Sequence, residues 1–348
     1  RTLRTPKDLP SIELGVPSLS FQSWWTAQYG IEGFDKIDKI PRTDWMNYLK
    51  WYREILSLPV ENNVRVTLIE PIDKELNRIS VKKASTYSSI LARKVVLATG
   101  IQGGGEWHTP ALIKDNLPKS RYAHTSETID FSSLKGKKVG ILGGGASAFD
   151  NANFALASGI REAHVFARRK ELPRINPMRK LESSGIISRF HTLSDHDKYA
   201  VMSHFFKFNQ PPTNDTFTRA SSKEGFHLHL GSPWLEVQDS KEGIIVKTPH
   251  QEFIFDYLII STGLVTDPAL RPELKIVEPY ITRWGDIYKA HPDIANKLID
   301  LHPYLTPEFS FVANCPEGVS ALYGIFAFNY SALISNGVSA SALSGLRF

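Results

Sequence analysis

The sequence predicts an α/β fold, and three observations predict it. The first is the run Lys138-Val139-Gly140-Ile141-Leu142-Gly143-Gly144-Gly145-Ala146-Ser147-Ala148, an apolar strand, a glycine turn and the opening of a helix. The second is a further apolar strand, Ala163-His164-Val165-Phe166-Ala167, reached after a helical run from Phe149 to Ala157 that stops near Gly159. Strand, helix and strand in that span make one βαβ unit. The third is a pair of buried strands with matching ends. Val95–Gly100 closes in Ala98-Thr99-Gly100, and Asp256–Gly263 closes in Ser261-Thr262-Gly263.

The glycine turn carries a specific chemistry. Its pattern is G-x-G-x-x-A, with Gly143, Gly145 and Ala148 in the small positions and Gly144, Ala146 and Ser147 between them. Gly143 makes the tight turn out of the strand, Gly145 admits a pyrophosphate, and Ala148 lets helix and strand pack closely. The helix N-terminus then offers free N–H groups and a positive dipole end. The second strand ends in Arg168-Arg169-Lys170, 25 residues after Gly143, where an NAD site would carry a carboxylate for the ribose 2′-hydroxyl. Guanidinium groups match a 2′-phosphate, so the expected dinucleotide is NADP(H).

The other elements follow in order. Arg42–Leu56 reads as a helix with Thr43 as its cap and Trp45, Tyr48, Leu49, Tyr52, Ile55 and Leu56 on one stripe. Val64–Ile72, Arg78–Lys83 and Ser88–Leu97 read as successive strands broken at Pro71 and Asn77. Gly103, Gly104 and Gly105 mark a crossover. Leu172–Asn214 is polar and aromatic, and its His191, His196 and His204 lack metal-ligand spacing, so no metal site is expected. Strands return at Phe226–Leu230, Gly243–Thr248 and Glu252–Phe255. Gly318–Leu346 has no charged residue, yet its many serines, asparagines and glycines argue for a buried helix facing a cofactor or another domain, not a membrane span.

Composition narrows the function. A net charge of +5 from 41 basic and 36 acidic residues is too mild and dispersed for nucleic acid. Cys315 is the sole cysteine, so an internal disulfide and a C-x-x-C redox pair are both excluded. A reducing compartment fits, and cytoplasmic location is expected. The opening residues are interrupted by Pro6 and Pro10 and have no apolar run, so no signal peptide is expected among them.

Two Thr-Gly strands bracketing an NADP-type unit resemble the two-dinucleotide-binding-domain flavoproteins. Within that group the chain is most similar to the flavin-dependent monooxygenases: the flavin-containing monooxygenases, the Baeyer–Villiger enzymes and the lysine or ornithine N-hydroxylases. Leu3-Arg4-Thr5-Pro6-Lys7 resembles the family's segment beside the flavin. His124-Thr125-Ser126 resembles its H-S/T-S element, and Leu333–Ala340 its C-terminal helix.

The resemblance implies FAD beside NADP(H), with a β-meander crossover, and NADPH-driven flavin C4a-peroxide oxygenation of a small molecule by O2. The substrate is expected to be a small apolar or amine-bearing molecule, with no nucleic-acid or membrane partner. It implies a remainder of the FAD lobe at 1–100 and 264–348, and an NADP-binding domain at 101–263. Cofactor contacts fall to Gly143–Ala148, Arg168, Arg169, Thr5, Lys7, Thr99, Gly100, Thr262 and Gly263. His124 and Arg174 are the catalytic candidates. The Baeyer–Villiger signature fails at Pro118, Ser120 and Thr128. The FAD-cradling glycine unit that opens the family is not found in residues 1–60, so the FAD lobe is expected to be incomplete at its N-terminus. An N-terminal segment outside the sequence or a homo-oligomer is left open. So are two alternatives: a truncated, non-enzymatic NADP-binding protein, and an NADPH-dependent flavin reductase or oxidase.

Overall fold

A computed structural model of the chain describes residues 2–73, 75–208, 211–338, 342–343 and 345, without the side chains of Arg4, Arg179, Glu182 and Ser183. Ser339 and Ala340, the end of the C-terminal element singled out above, lie outside the described residues. The fold is mixed α/β and divides into two compact units. One comprises Arg1–Gly105, Leu181–Ser203 and Thr266–Phe348, the other Glu106–Lys180 and His204–Val265.

The first unit opens with β1 (Thr2–Pro6), which pairs antiparallel with β2 (Lys39–Pro41). Between and after them come α1 (Phe21–Tyr29), α2 (Ile31–Asp35) and α3 (Arg42–Ile55). Phe21, Trp24 and Trp25 of α1 meet Trp45, Tyr48 and Tyr52 of α3 in one buried aromatic cluster. Of the stripe read from the sequence, Trp45, Tyr48 and Tyr52 are buried and Leu49 packs against them, whereas Ile55 and Leu56, at the end of the helix, are exposed. Thr43 does not cap α3. The helix starts directly from the β2 pairing at Pro41, which leaves Thr43 inside its first turn. Then β3 (Val64–Pro71), β4 (Asn77–Lys83) and β5 (Thr86–Ala92) form an antiparallel meander. A break at Arg93-Lys94 splits the expected single strand, and β6 (Val95–Val96) follows on its own.

The second unit is entered through β7 (Gly105–Trp107) and α4 (Ala111–Lys114). Its centre is a parallel sheet of β8 (Tyr122–His124), β9 (Lys138–Leu142), β10 (Glu162–Phe166), β11 (Phe226–His229) and β15 (Tyr257–Ile260), in the order β11-β10-β9-β15-β8. Parallel strands need crossovers, and α5 (Ala146–Ala157) makes the first, between β9 and β10. The chain from β10 to β11 passes through α6 (Pro177–Ser183), α7 (Asp195–Phe208) and α8 (Asn214–Ser221). One sheet face packs on α5 and α8 through Val139, Ile141, Phe149, Ala152 and Ala220. The other packs on an antiparallel meander of β12 (Glu236–Asp239), β13 (Ile244–Lys247) and β14 (Glu252–Phe255) through Phe166, Phe253 and Phe255. Both faces are covered, which is why the strands read as continuous apolar runs.

After β16 (Leu264–Thr266) the chain returns to the first unit, where β17 (Ile325–Phe326) pairs parallel with β6, Ile325 opposite Val95. The uncharged C-terminal stretch is not the single helix expected. Over its described residues it is a series of short turns and helices, broken at Gly324 and Gly337, both at positive φ. Residues 331–338 are buried. Among the described residues no helix is long and apolar enough to cross a membrane.

Candidate functional site

The glycine turn stands at the C-terminal end of β9, beside the end of β10. Leu142 pairs with Phe166, and the Gly143 N–H donates to the Phe166 carbonyl at 2.9 Å. Gly143 has φ of +142°, and a Cβ there would lie 2.4 Å from the Ser261 carbonyl oxygen at the end of β15. Only glycine fits. The chain then enters α5 through Gly145, an N-cap with no side-chain acceptor for the first-turn N–H groups. A twelve-residue helix whose amino end is uncapped beside a glycine turn is built to take an anion.

Arg168 and Arg169 follow the end of β10, two and three residues past Phe166. Arg168 is exposed and Arg169 half-buried. Burial, and then the neighbouring Arg168 charge, push the Arg169 guanidinium below its usual pKa. Arg169 reaches only the Phe208 carbonyl, at 3.4 Å, and among the described residues no carboxylate pairs with either arginine. Two unneutralised guanidinium groups beside a phosphate-binding turn suit a second phosphate.

His124 ends β8 and is buried. The Ser126 N–H donates to its Nδ1 at 3.2 Å, which puts the ring hydrogen on Nε2, and that buried atom has no hydrogen-bond partner. Burial lowers its pKa, opposed by the nearby Gly263 carbonyl. Ser261 Oγ, at the end of the next strand and beside Gly143, is likewise buried without a partner. Orphaned polar atoms of this kind are costly unless a ligand satisfies them. Sequence reading missed Asn151, one turn into α5. Its Nδ2 donates to the Ser147 carbonyl at 2.8 Å and to Thr125 Oγ1, tying the His124-Thr125-Ser126 element to the helix that follows the glycine turn. The i, i+4 spacing from Ser147 was the available signal. Thr262 Oγ1 donates to the His108 carbonyl, and Gly263 takes positive φ. Arg174 is exposed beyond the basic turn.

In the first unit, Thr99 Oγ1 accepts from Asn329 Nδ2 at 3.1 Å, and Gly100 turns at positive φ. Thr5 is half-buried in β1. Lys7 donates to the Phe34 carbonyl at 2.7 Å and sits over the Phe34 ring, so its ammonium closes the carbonyl end of α2. Cys315 is the N-terminal neighbour of a short helix that begins at Pro316.

The turn, the uncapped helix and the basic corner have the form that a dinucleotide-binding unit of an α/β oxidoreductase takes. The family model for pyridine nucleotide-disulphide oxidoreductases matches residues 10–207. An FAD-dependent urate hydroxylase of Xanthomonas campestris is 54% identical over all 348 residues, which span 73% of that protein. An ornithine hydroxylase of Pseudomonas aeruginosa shares the fold at 15% identity, covering 99% of this chain and 84% of that one with a TM-score of 0.73. So does a cadaverine monooxygenase of Erwinia amylovora bound to FAD, at 17% identity, 99% and 80% coverage and a TM-score of 0.71. The chain belongs to the pyridine nucleotide-disulphide oxidoreductase family. Within it, it is a flavin-dependent monooxygenase.

Proposed function

We propose that this chain hydroxylates urate, or a planar heteroaromatic anion closely like it, with NADPH as reductant and O2 as oxidant. The observation that carries this reading is the 54% identity, along the whole chain, to an FAD-dependent urate hydroxylase. The overall reaction balances: NADPH, a proton, O2 and substrate give NADP⁺, water and the hydroxylated product. FAD, when bound, accepts hydride from the nicotinamide and activates O2. The chain's own residues do the placing. First-turn N–H groups of α5 hold the pyrophosphate, and Arg168 and Arg169 hold the 2′-phosphate and favour NADPH over NADH. His124 presents an Nε2–H donor, and Asn151 fixes the segment that carries it. The unit built on β8, β9, β10, β11 and β15 is the NADP-binding domain, and the flanking segments hold the flavin. A cytoplasmic location agrees with the single cysteine.

The test is substrate-coupled NADPH oxidation by the purified protein supplied with FAD. Urate is expected to accelerate NADPH and O2 consumption in a one-to-one ratio, with loss of urate's ultraviolet absorbance. Ornithine and lysine are expected to do neither. NADPH oxidation that is indifferent to urate, or that an amine stimulates instead, overturns the assignment.

A further inference from the structure

The second unit carries a cluster of ligating side chains away from the glycine turn. Glu162 and His164 are two residues apart on β10 and so point to the same sheet face. His227 on β11 is the parallel partner of His164, and its ring stacks on His164 with centroids 4.3 Å apart. One ligand atom from each of the three lies within 4.8 Å of the others. His164 Nε2 is 3.0 Å from Glu162 Oε2. Its Nδ1 is 2.9 Å from His229 Nε2, two positions further along β11 on the same face. His164 is buried, Glu162 half-buried and His227 exposed, so the cluster has a protein wall and an open mouth.

We propose that Glu162, His164 and His227 form a binding site for a divalent transition-metal ion, zinc by preference. Two nitrogens and one carboxylate oxygen are a borderline donor set that suits zinc, with water in the fourth position. Ligand atoms about 2.1 Å from a tetrahedral ion stand about 3.4 Å apart. The Glu162–His164 pair therefore opens by a few tenths of an ångström, and the exposed His227 ring swings inward. His229 already makes the outer contact that a ligating imidazole needs, through the ring nitrogen not used for the metal. The ion's rivals for Glu162 are Lys138 at 3.4 Å and Arg161 at 3.3 Å. Both are long, partly exposed side chains that can turn to solvent.

The site joins the β10 strand to β11, the edge strand of the sheet. It sits towards the strand N-termini. Lys138 pairs with Glu162 there, whereas the glycine turn follows the Leu142–Phe166 pair at the opposite end. Four residues of strand separate the two, about 13 Å. Its role is therefore to clamp the sheet edge and not to take part in oxygen chemistry. Sequence spacing could not show it, because β11 lies over 60 residues from β10.

Zinc titration calorimetry on the chelator-treated full chain tests this. One zinc per chain is expected, with a rise in the thermal unfolding midpoint. His227→Ala removes an exposed ligand, and is expected to weaken zinc binding about tenfold or more while leaving the metal-free unfolding midpoint unchanged. His204→Ala, an exposed histidine elsewhere, is expected to leave binding as in the parent. Absence of stoichiometric binding overturns the proposal. So does binding that His227→Ala leaves intact or that His204→Ala weakens equally.

Discussion

The strand ends around the glycine turn and the buried C-terminal stretch of the first unit are both rich in small polar residues, yet they treat those groups in opposite ways. In the C-terminal stretch Ser335, Asn336 and Asn329 bond within the protein. Ser335 Oγ accepts from Trp284 Nε1 at 2.9 Å and from the Leu305 N–H at 3.0 Å. Asn336 Nδ2 donates to the Thr306 and Pro307 carbonyls, and Asn329 Oδ1 accepts from the Ser331 N–H at 2.8 Å. Around the glycine turn valences are left open: an uncapped helix, two arginines with no carboxylate partner among the described residues, and the buried His124 Nε2 and Ser261 Oγ without a hydrogen-bond partner. Internal satisfaction serves a core, and leftover valence serves a ligand. Damage to the first should therefore appear as lost stability, and damage to the second as lost binding.

Trp284→Ala gives the largest effect expected on the closed side. The side chain is fully buried, is 4.9 Å from the Tyr304 ring between centroids, and donates to Ser335. Its removal leaves a cavity and takes away one of the two donors to Ser335 Oγ, at a cost of about 3–5 kcal/mol. Urea unfolding measures it, and NADPH affinity under folding conditions should stay near the parent value. A loss below about 1 kcal/mol would mean that this region is looser than its hydrogen bonds indicate.

On the open side, Arg168→Ala with Arg169→Ala removes the charge that faces the 2′-phosphate. NADPH affinity should fall by about 2–4 kcal/mol, NADH affinity should hardly change, and the unfolding midpoint should stay put. Titration with both nucleotides checks all three. Equal affinity of the parent for NADPH and NADH would remove the basis for assigning these arginines.

The same contrast explains what was legible in the sequence. The turn from Gly143 to Ala148 and the arginines after β10 are local: each follows its strand directly, so order along the chain fixes the geometry. Asn151 was missed because its partner Thr125 is 26 residues away, across β9. Lys7 was expected beside a flavin ring, whereas its ammonium closes α2, a contact made across 27 residues. The C-terminal stretch was expected to be one helix because absence of charge marks burial without marking shape. Its path is set by Gly324 and Gly337 and by long-range bonds such as Trp284 to Ser335. The aromatic stripe of α3 was readable because helical periodicity needs no partner, while its cap depended on the β2 pairing before it.

His302 sharpens the comparison through pH. Like His124 it is a buried imidazole, but it lies in the first unit, where its Nδ1 donates to the Leu298 carbonyl at 2.8 Å. Burial pushes its pKa down to about 4, against weaker opposing pulls from the Leu298 and Ile299 backbone and Asp267. The unfolded chain returns it to about 6.5, so between these values the unfolded state binds the extra proton. Stability from this group is complete above pH 6.5 and is lost as pH falls towards 4. Between pH 7 and pH 5 the expected loss is on the order of 2 kcal/mol, and His302→Gln should flatten that part of the profile. Urea midpoints of parent and variant across this range measure it. If the two profiles run parallel, the acid sensitivity of the fold belongs to other groups, and His302 is as well solvated by its partners as Ser335 is by its own.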